Sequence, residues 1–165
     1  MAQAITLSAP DPQLPFTIFA DASGIGAGCA LAQLQPGEDA YKFLHMASTK
    51  FTPVQRRWDT TDREVYAIMW ALESCDRFIR GSTVAVLTDH EPLTSLTTST
   101  KPKLLRYALR IAAYSPSIIH IRGASNQVAD WLSRAIVDDE EPDVGYALAA
   151  TPVAPNYTFP KHSGN

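Results

Sequence analysis

The sequence predicts an α/β domain in which helices pack against a mixed β-sheet. Three observations lead to this fold class: short apolar segments open the chain, a long helical repeat follows them, and strand and helix patterns then alternate. The predicted order of elements is βββαβααβα. A chain of 165 residues, 45% hydrophobic and 19% charged, is large enough to bury one core of its own.

Three strands open the predicted domain. A turn-rich, proline-containing lead-in occupies residues 1–15, and three glycines between residues 24 and 28 permit a turn after the first strand. Apolar and β-branched residues predominate in the segments on either side. Their close spacing along the chain favours an antiparallel meander. The predicted strands are Phe16–Ala20, Cys29–Gln33 and Lys42–Ser48.

A long amphipathic helix is predicted after the meander. Thr61 and Glu64 match a capping box, apolar residues then recur at helical spacing, and Gly81 ends the helix. Strand and helix patterns alternate in the rest of the domain. These elements are the strand Thr83–Thr88, the helices Glu91–Leu96 and Leu104–Tyr114, the strand Ser117–Ile121 and the helix Asn126–Ala135.

The predicted domain covers residues 16–135, and the segment after it has a different composition. Residues 136–165 contain five acids against Lys161 alone, together with four prolines, and show no helical or alternating periodicity. This composition is typical of a poorly ordered linker or tail. The overall charge of −3 also hides a basic segment, since residues 101–134 carry six lysines and arginines against Asp130 alone. That segment is available to bind phosphates.

Several classes of protein are excluded by what the sequence lacks. Its apolar stretches are far shorter than the roughly 20 residues of a membrane span, and the N-terminus has no signal-like pattern. Cys29 and Cys75 stand 46 positions apart without a metal-binding spacing, which favours two small core residues over a zinc site or a disulfide. We therefore expect a soluble, intracellular protein that does not enter a membrane.

Four acids lie at the end or on the first turns of a predicted element. Each has an ordinary structural explanation: Asp21 can serve a turn, Glu64 can close the capping box, Asp89 can cap the next helix and Asp130 can be a solvated helix residue. Together, however, they can meet at one edge of the sheet. Clustered carboxylates repel each other unless cations lie between them, and oxygen ligands suit Mg²⁺ or Mn²⁺. A metal-dependent phosphoryl-transfer site is the sharper hypothesis.

The segments that carry these acids resemble a known family. They are Phe19-Ala-Asp-Ala-Ser23, Thr61-Asp-Arg-Glu-Val-Tyr-Ala-Ile68, Leu87-Thr-Asp-His-Glu-Pro-Leu93 and Asn126-Gln-Val-Ala-Asp-Trp-Leu-Ser-Arg134. In order and spacing they resemble the ribonuclease H domain of gypsy-class LTR retrotransposon polyproteins, from about Ser8 to Arg134. The resemblance implies a ribonuclease H-like fold, with a five-stranded sheet of three antiparallel strands and two parallel additions. It also implies that residues 1–15 lead in from a polymerase or connection segment.

The resemblance also implies an activity and its cofactors. The family's catalytic acids correspond to Asp21, Glu64, Asp89 and Asp130, and they imply two Mg²⁺ or Mn²⁺ ions. Asp21 would bridge the ions, Glu64 and Asp89 would hold one of them, and Asp130 would complete the other shell. The implied reaction is endonucleolytic hydrolysis of the RNA strand of an RNA/DNA hybrid during reverse transcription, which leaves 3′-hydroxyl and 5′-phosphate ends. The implied partners are the hybrid and the polymerase domain of the same polyprotein, in a cytoplasmic virus-like particle.

Substrate contacts and alternative functions follow from the same motifs. Ser23 and Gly24 can approach the RNA, where 2′-hydroxyl contacts distinguish it from DNA, and Arg106 and Asn126 are candidate phosphate or sugar contacts. His120, Trp58, Trp70 and Tyr107 are interpreted as strand or packing residues. One alternative is a domesticated, non-catalytic module that binds hybrids or assembles. Another is an integrase-like nuclease of the same superfamily, which shares the acids but lacks these signatures.

Overall fold

The computed structural model describes residues 7–89, 101–122 and 125–134. The predicted helix Glu91–Leu96 and the predicted tail at 136–165 lie outside these residues. Five strands and five helices are described. They are β1 (Phe16–Ala22), β2 (Gly26–Leu34), β3 (Tyr41–Lys50), α1 (Pro53–Arg56), α2 (Thr60–Ser74), α3 (Asp76–Ile79), β4 (Val84–Thr88), α4 (Pro102–Ala112), β5 (Ser117–His120) and α5 (Gln127–Arg134).

The strands form one mixed sheet in the order β3-β2-β1-β4-β5. The first three strands pair antiparallel, whereas β4 runs parallel to β1, and β5 runs parallel to β4. This confirms the predicted sheet of three antiparallel strands with two parallel additions. Because β1 is central and parallel to β4, the residues that follow both strands emerge at the same edge of the sheet.

Helices cover both faces of this sheet. On one face, α2 packs against alternate residues of the central strands, including Ile18, Leu31 and Val86, and α4 packs against α2 in the same core. On the other face, α5 packs Ala129 and Leu132 against residues of opposite parity in the same strands. The two faces follow from the period of two in a strand, which sends successive side chains to opposite sides. The active-site candidates lie where these layers meet the carboxyl ends of β1 and β4.

The start of the long helix differs from the prediction. The N-cap of α2 is Asp59, whose carboxylate accepts a 2.8 Å hydrogen bond from the Asp62 N–H. The prediction of a capping box formed by Thr61 and Glu64 is therefore wrong. Glu64 is buried against the sheet and is therefore not the residue that closes a capping box. A complete capping box exists one helix earlier, where Thr52 and Gln55 bond reciprocally at α1, a helix that the sequence pattern did not predict.

The end of the long helix also differs from the prediction. The helix ends at Ser74, Cys75 caps it, and the separate short helix α3 precedes Gly81, whose φ of +77° is a turn conformation that suits glycine. Periodicity alone does not detect this break, because Cys75 and Ile79 are buried on the same side as the α2 core residues. Cys29 and Cys75 are both buried, as predicted, and a contact between the thiols raises the pKa of Cys29.

Strand β2 begins earlier than predicted, so two of the three glycines lie within it. Gly26 and Gly28 are strand residues, and Gly28 pairs with Asp21 of β1. A Cβ atom at Gly28 would stand 2.4 Å from the backbone nitrogen of Ser133 and 2.6 Å from the carbonyl oxygen of Ala129. Gly28 therefore allows α5 to lie directly on β2, whereas the prediction assigned this glycine to a turn.

Candidate active site

The four candidate acids come from four elements that converge on one end of the sheet. Asp21 lies near the end of β1 and Asp89 directly follows β4, the parallel neighbour of β1. Glu64 is on the second turn of α2, which packs against β1, and Asp130 is in the middle of α5, which packs on the other face. Their charges act on one another, since Asp89 raises the pKa of both Asp21 and Glu64.

Asp21 is a buried carboxylate with one hydrogen-bond donor beside it. Its pKa is raised to about 6, mainly by burial and further by the nearby charges of Asp89 and Asp130, while a hydrogen bond from Ser133 acts in the opposite direction. The Ser133 hydroxyl oxygen stands 2.7 Å from Asp21 Oδ2. The site therefore holds a carboxylate that burial and like charges both destabilise in its ionised form.

The pKa of Glu64 is raised further above its ordinary value than that of Asp21. Burial, followed by the charges of Asp21 and Asp89, raises its pKa to about 8, while Arg63 and the backbone of Ala22 act in the opposite direction. Among the described residues, its Oε2 atom is buried without a hydrogen-bond partner. Buried polar atoms are nearly always paired, so an unpaired carboxylate oxygen within a cluster of acids is a position where a cation would be stabilised.

Asp130 is more exposed than the other two and forms an ion pair. The Nε atom of Arg134, one helical turn later, donates a 2.6 Å hydrogen bond to Asp130 Oδ1. The charges of Asp21 and Asp89 also raise the pKa of Arg134. Arg134 is therefore a positive charge at the border of the acidic cluster.

The donor set of the cluster fits a hard divalent cation. All four side chains supply carboxylate oxygens, and one of those oxygens is buried and unpaired. Within the part of the chain that the structure describes, no three acidic, histidine or cysteine side chains stand close enough to form a ready-made metal site. The acids therefore interact through their charges, and their side chains would have to move to close a shell around an ion.

Two predicted substrate contacts are instead occupied inside the protein. The Ser23 hydroxyl is buried and donates to the Ser133 carbonyl at 2.7 Å, while the Asn126 amide is buried and donates to the Ala20 carbonyl at 3.0 Å. Sequence motifs identified both residues correctly as part of this region but did not reveal which way their side chains face. These contacts support structural roles at the junction of β1 and α5.

The other two predicted contacts are exposed. Gly24 lies after β1, and a Cβ atom there would approach only Arg63 Nη1, at 4.0 Å. Arg106 lies on the exposed side of α4. Gly24 is thus next to the acidic cluster, whereas Arg106 is placed on a neighbouring helix.

The basic segment at residues 101–134 is largely neutralised within the protein. Lys101 and Lys103 both pair with the buried Asp62, at 3.2 and 2.6 Å. Arg110 pairs with Glu73 at 2.6 Å, and Arg134 pairs with Asp130. Four of the six basic residues in this segment therefore have acidic partners, which leaves Arg106 and Arg122 as its better candidates for phosphate contacts.

The aromatic residues pack as the sequence indicated, and His120 is an exposed strand residue whose ring forms a hydrogen bond. Trp58 contacts Tyr66 and Tyr107 in one cluster, with the Lys103 ammonium 3.7 Å from the Trp58 ring centre. His120 lies in β5, and its Nε2 atom is 3.0 Å from the Asp89 carbonyl oxygen, to which it must donate. That bond fixes the backbone of a candidate catalytic acid.

Three further residues next to the acids were not selected from the sequence. Arg63, Ser133 and Arg134 all lie inside the recognised motifs, directly beside or three or four positions from an acid. Helical spacing was the available signal for two of them, because residues three and four apart share one side of a helix. We add them to the candidate site.

Comparisons with known proteins identify the family of this chain. A family model described as the RNase H-like domain found in reverse transcriptase matches residues 11–114. The retrovirus-related Pol polyprotein from transposon 412 of Drosophila melanogaster is 35% identical over 147 residues, which cover 88% of this chain and 12% of that polyprotein. The polyprotein from transposon gypsy of the same species is 30% identical over 159 residues, covering 93% and 15%.

Solved structures show the same fold at lower identity. LC11-RNase H1, in a crystal structure in complex with RNA/DNA hybrid, matches with a TM-score of 0.52 and 20% identity, covering 72% of this chain and 92% of that one. The chain spans only a small part of the polyproteins it matches. In its described residues, no helix combines the length and apolar character needed to cross a membrane.

Proposed function

Because this chain belongs to the family of RNase H-like domains found in reverse transcriptases, we propose that it hydrolyses the RNA strand of RNA/DNA hybrids during reverse transcription of a retrotransposon. The observation that carries the proposal is the buried, unpaired Oε2 of Glu64, a carboxylate whose pKa is raised by burial and by the charges of Asp21 and Asp89. The solved hybrid complex of LC11-RNase H1 supports the choice of substrate, because that protein shares the fold.

The electrostatics of the cluster favour catalysis over a purely structural role. Burial and mutual repulsion raise the pKa values of Asp21 and Glu64, which means that the ionised acids lower the stability of the fold. A module that only bound hybrids or assembled would gain nothing from these acids. Perturbed acids of this kind are typical of functional sites.

Each acid has a proposed role toward two Mg²⁺ or Mn²⁺ ions. When bound, the ions supply a water of lowered pKa and stabilise the leaving 3′ oxygen, so that the products carry 3′-hydroxyl and 5′-phosphate ends. Asp21 would contact both ions, Glu64 and Asp89 would hold one, and Asp130 would hold the other. Asp130 can adjust more than Asp21 or Glu64, since it is less buried than they are and its present partner is a solvent-exposed arginine.

The protein side chains around the acids would bind and orient the hybrid. Arg63 and Arg134 border the cluster and can neutralise phosphates next to the cleaved bond. The backbone at Gly24 is exposed beside Arg63 and can approach the RNA sugar, where the 2′-hydroxyl identifies RNA. We further propose that the polymerase domain of the same polyprotein is the physiological partner, in an intracellular particle.

A cleavage assay tests the proposal directly. The chain is incubated with an RNA/DNA hybrid, duplex DNA or duplex RNA in Mg²⁺, in Mn²⁺ and in EDTA. We expect cleavage of the RNA strand of the hybrid with either ion and none in EDTA or with duplex DNA. The matched control is Asp89→Asn, which should bind hybrid without cutting it. Hybrid binding by the unaltered chain with no cleavage under any condition would support the non-catalytic module instead.

A further inference from the structure

Ser133 is a fully buried polar residue that contacts two of the candidate catalytic acids. Its hydroxyl oxygen stands 2.7 Å from Asp21 Oδ2 and 2.9 Å from the backbone carbonyl oxygen of Asp130. The hydroxyl has one proton to donate, and the carboxylate is the stronger acceptor because it is charged. Ser133 therefore donates to Asp21 whenever Asp21 is ionised.

The backbone of Ser133 is fixed as firmly as its side chain. Its carbonyl accepts the 2.7 Å hydrogen bond from the buried Ser23 hydroxyl, and Ser23 in turn accepts from the Gly26 N–H at the start of β2. At the other end of α5, Asn126 donates to the carbonyl of Ala20, the residue before Asp21. The helix that carries Asp130 is thus attached at both ends to the strand that carries Asp21.

We propose that Ser133 is a positioning residue, which holds one oxygen of Asp21 so that the other faces the ions and which fixes Asp21 relative to Asp130. This inference rests on the proposed function and names a further residue that it requires. A carboxylate bound at one oxygen by a buried hydroxyl cannot rotate freely. Its remaining oxygen is then oriented before an ion arrives, and the entropic cost of ordering it has already been met by folding.

An ordinary packing role for Ser133 makes different predictions. If Ser133 only stabilised α5, its replacement would lower stability and leave the acids unchanged in the folded protein. If it orients Asp21, its replacement would also weaken ion binding in protein that is fully folded. The two roles are separated by measuring ion affinity and stability on the same variants.

The first experiment compares Ser133→Ala with Val128→Ala. Val128 is a partly buried apolar residue of the same helix that packs on the sheet, so it is the matched control for loss of packing. Calorimetric titration with Mn²⁺ well below the melting temperature should show affinity reduced about 10- to 100-fold in Ser133→Ala, the range typical of lost ligand-orienting contacts. Val128→Ala should bind Mn²⁺ as the unaltered chain does.

Hybrid cleavage adds a kinetic readout. Ser133→Ala should lower kcat by a similar factor at fixed, subsaturating Mn²⁺ and leave the KM for hybrid within about twofold, because Ser133 does not face the substrate. Equal Mn²⁺ affinity and equal kcat in Ser133→Ala and Val128→Ala would overturn the proposal. If the unaltered chain binds Mn²⁺ and cuts no hybrid, the proposed function is overturned. The Mn²⁺ titration would then still decide whether Ser133 positions Asp21.

The second experiment tests the contact without metal or substrate. Urea unfolding in EDTA is measured for Ser133→Ala, Asp21→Ala and the double variant. A functional contact predicts that the effects of the two changes on the unfolding equilibrium constant are non-additive by about fivefold or more. Additive effects would mean that the two side chains are not coupled in solution, and they would overturn the proposal even if Ser133→Ala binds Mn²⁺ weakly.

Discussion

A Cβ atom placed on Gly28 would lie 2.4 Å from the backbone nitrogen of Ser133, a distance that Cβ atoms in real proteins essentially never show. The atoms in the way belong to the backbone of α5, which cannot move aside as the end of a flexible side chain can. Strand β2 and helix α5 therefore meet backbone to backbone at this point. Because Ser133 contacts Asp21, the distance between β2 and α5 also decides the geometry of the acids.

Gly28→Ala should consequently displace α5. We expect a loss of about 1–3 kcal/mol in the free energy of unfolding, the usual cost of overpacking. The rate of hybrid cleavage should fall by a larger proportion than the free energy of unfolding does. Urea unfolding and a cleavage assay below the melting temperature check this. Gly24→Ala is the stability control, because a Cβ atom there meets only Arg63 at 4.0 Å. Equal stability of both variants would show that α5 does not pack as described.

Glu64→Gln should separate stability from activity. The substitution keeps the shape of the side chain and removes a charge that burial, Asp21 and Asp89 all disfavour. We expect the metal-free variant to melt about 3 °C or more above the unaltered chain at pH 8, while hybrid cleavage falls by orders of magnitude. Thermal melting in EDTA and single-turnover cleavage are the measurements. A folded Glu64→Gln variant with near-normal turnover would remove Glu64 from the site.

The raised pKa values of Asp21 and Glu64 also predict how stability depends on pH without metal. Both lie above their ordinary values of 3.8 and 4.5, at about 6 and about 8, so folding favours the protonated acids. Their contribution is fully present below pH 3.8, and it is lost as pH rises from 3.8 through about 6 for Asp21 and from 4.5 through about 8 for Glu64. Burial lowers the pKa of His45, which works in the opposite direction.

Melting temperatures in EDTA between pH 5 and pH 9 test this dependence. The unaltered chain should lose stability toward pH 9 relative to Glu64→Gln, a comparison in which the contribution of His45 cancels. Saturating Mg²⁺ should restore stability at the alkaline end, since cations bind the ionised acids and release their protons. Parallel pH profiles for the two chains would contradict a raised pKa at Glu64.

Arg134→Gln should strengthen ion binding and weaken hybrid binding. Arg134 pairs with Asp130 at 2.6 Å, so an ion that recruits Asp130 must first displace the arginine. Without substrate, we expect Mn²⁺ affinity to rise by up to about fivefold, consistent with the small net energy of an exposed ion pair. Hybrid affinity should fall, because a cation beside the cleavage site is lost. Arg80→Gln, which breaks a similar i,i+4 pair with Asp76, is the matched control.

Among the basic residues, the ion pairs predict which ones govern the salt dependence of hybrid binding. Arg106→Ala and Arg122→Ala should each weaken binding and reduce the slope of log affinity against log salt by up to about one. Arg110→Ala should change the slope less, because Arg110 already pairs with Glu73 at 2.6 Å. Binding isotherms at four salt concentrations distinguish these outcomes. A larger effect for Arg110 would mean that its ion pair opens when the hybrid binds.

Local signals in the sequence predicted the strands and the antiparallel meander, whereas the parallel additions and the catalytic role of the four acids followed from the resemblance to a family. Alternating apolar residues and terminal acids are visible in any short window, and parallel strands with acids at their ends place Asp21 and Asp89 together. The start of α2 was misplaced because Asp59 and Thr61 are both good N-cap residues, and only the burial of Glu64 decides between them.

Side-chain direction at the site could not be predicted in the same way. Ser23 and Asn126 carry groups that bind RNA as readily as they bind a neighbouring backbone, and their partners Ser133 and Ala20 are 110 and 106 positions away. The break between α2 and α3 at Cys75 could not be predicted for a related reason, since the apolar residues of both helices are buried on the same side. These features depend on where distant segments meet, which a local pattern does not contain.

The position of α5 in the chain has a consequence for biosynthesis. Phe19, Ala30 and Leu87 are shielded by a helix whose last residue, Arg134, is translated more than a hundred residues after Phe19. While the ribosome is still adding those residues, the nascent sheet presents a bare apolar surface that attracts chaperones or other unfinished chains. Under the proposed function, hydrolysis would also have to wait, since Asp130 arrives with the same helix. A domain built this way would not degrade RNA before its last helix is made.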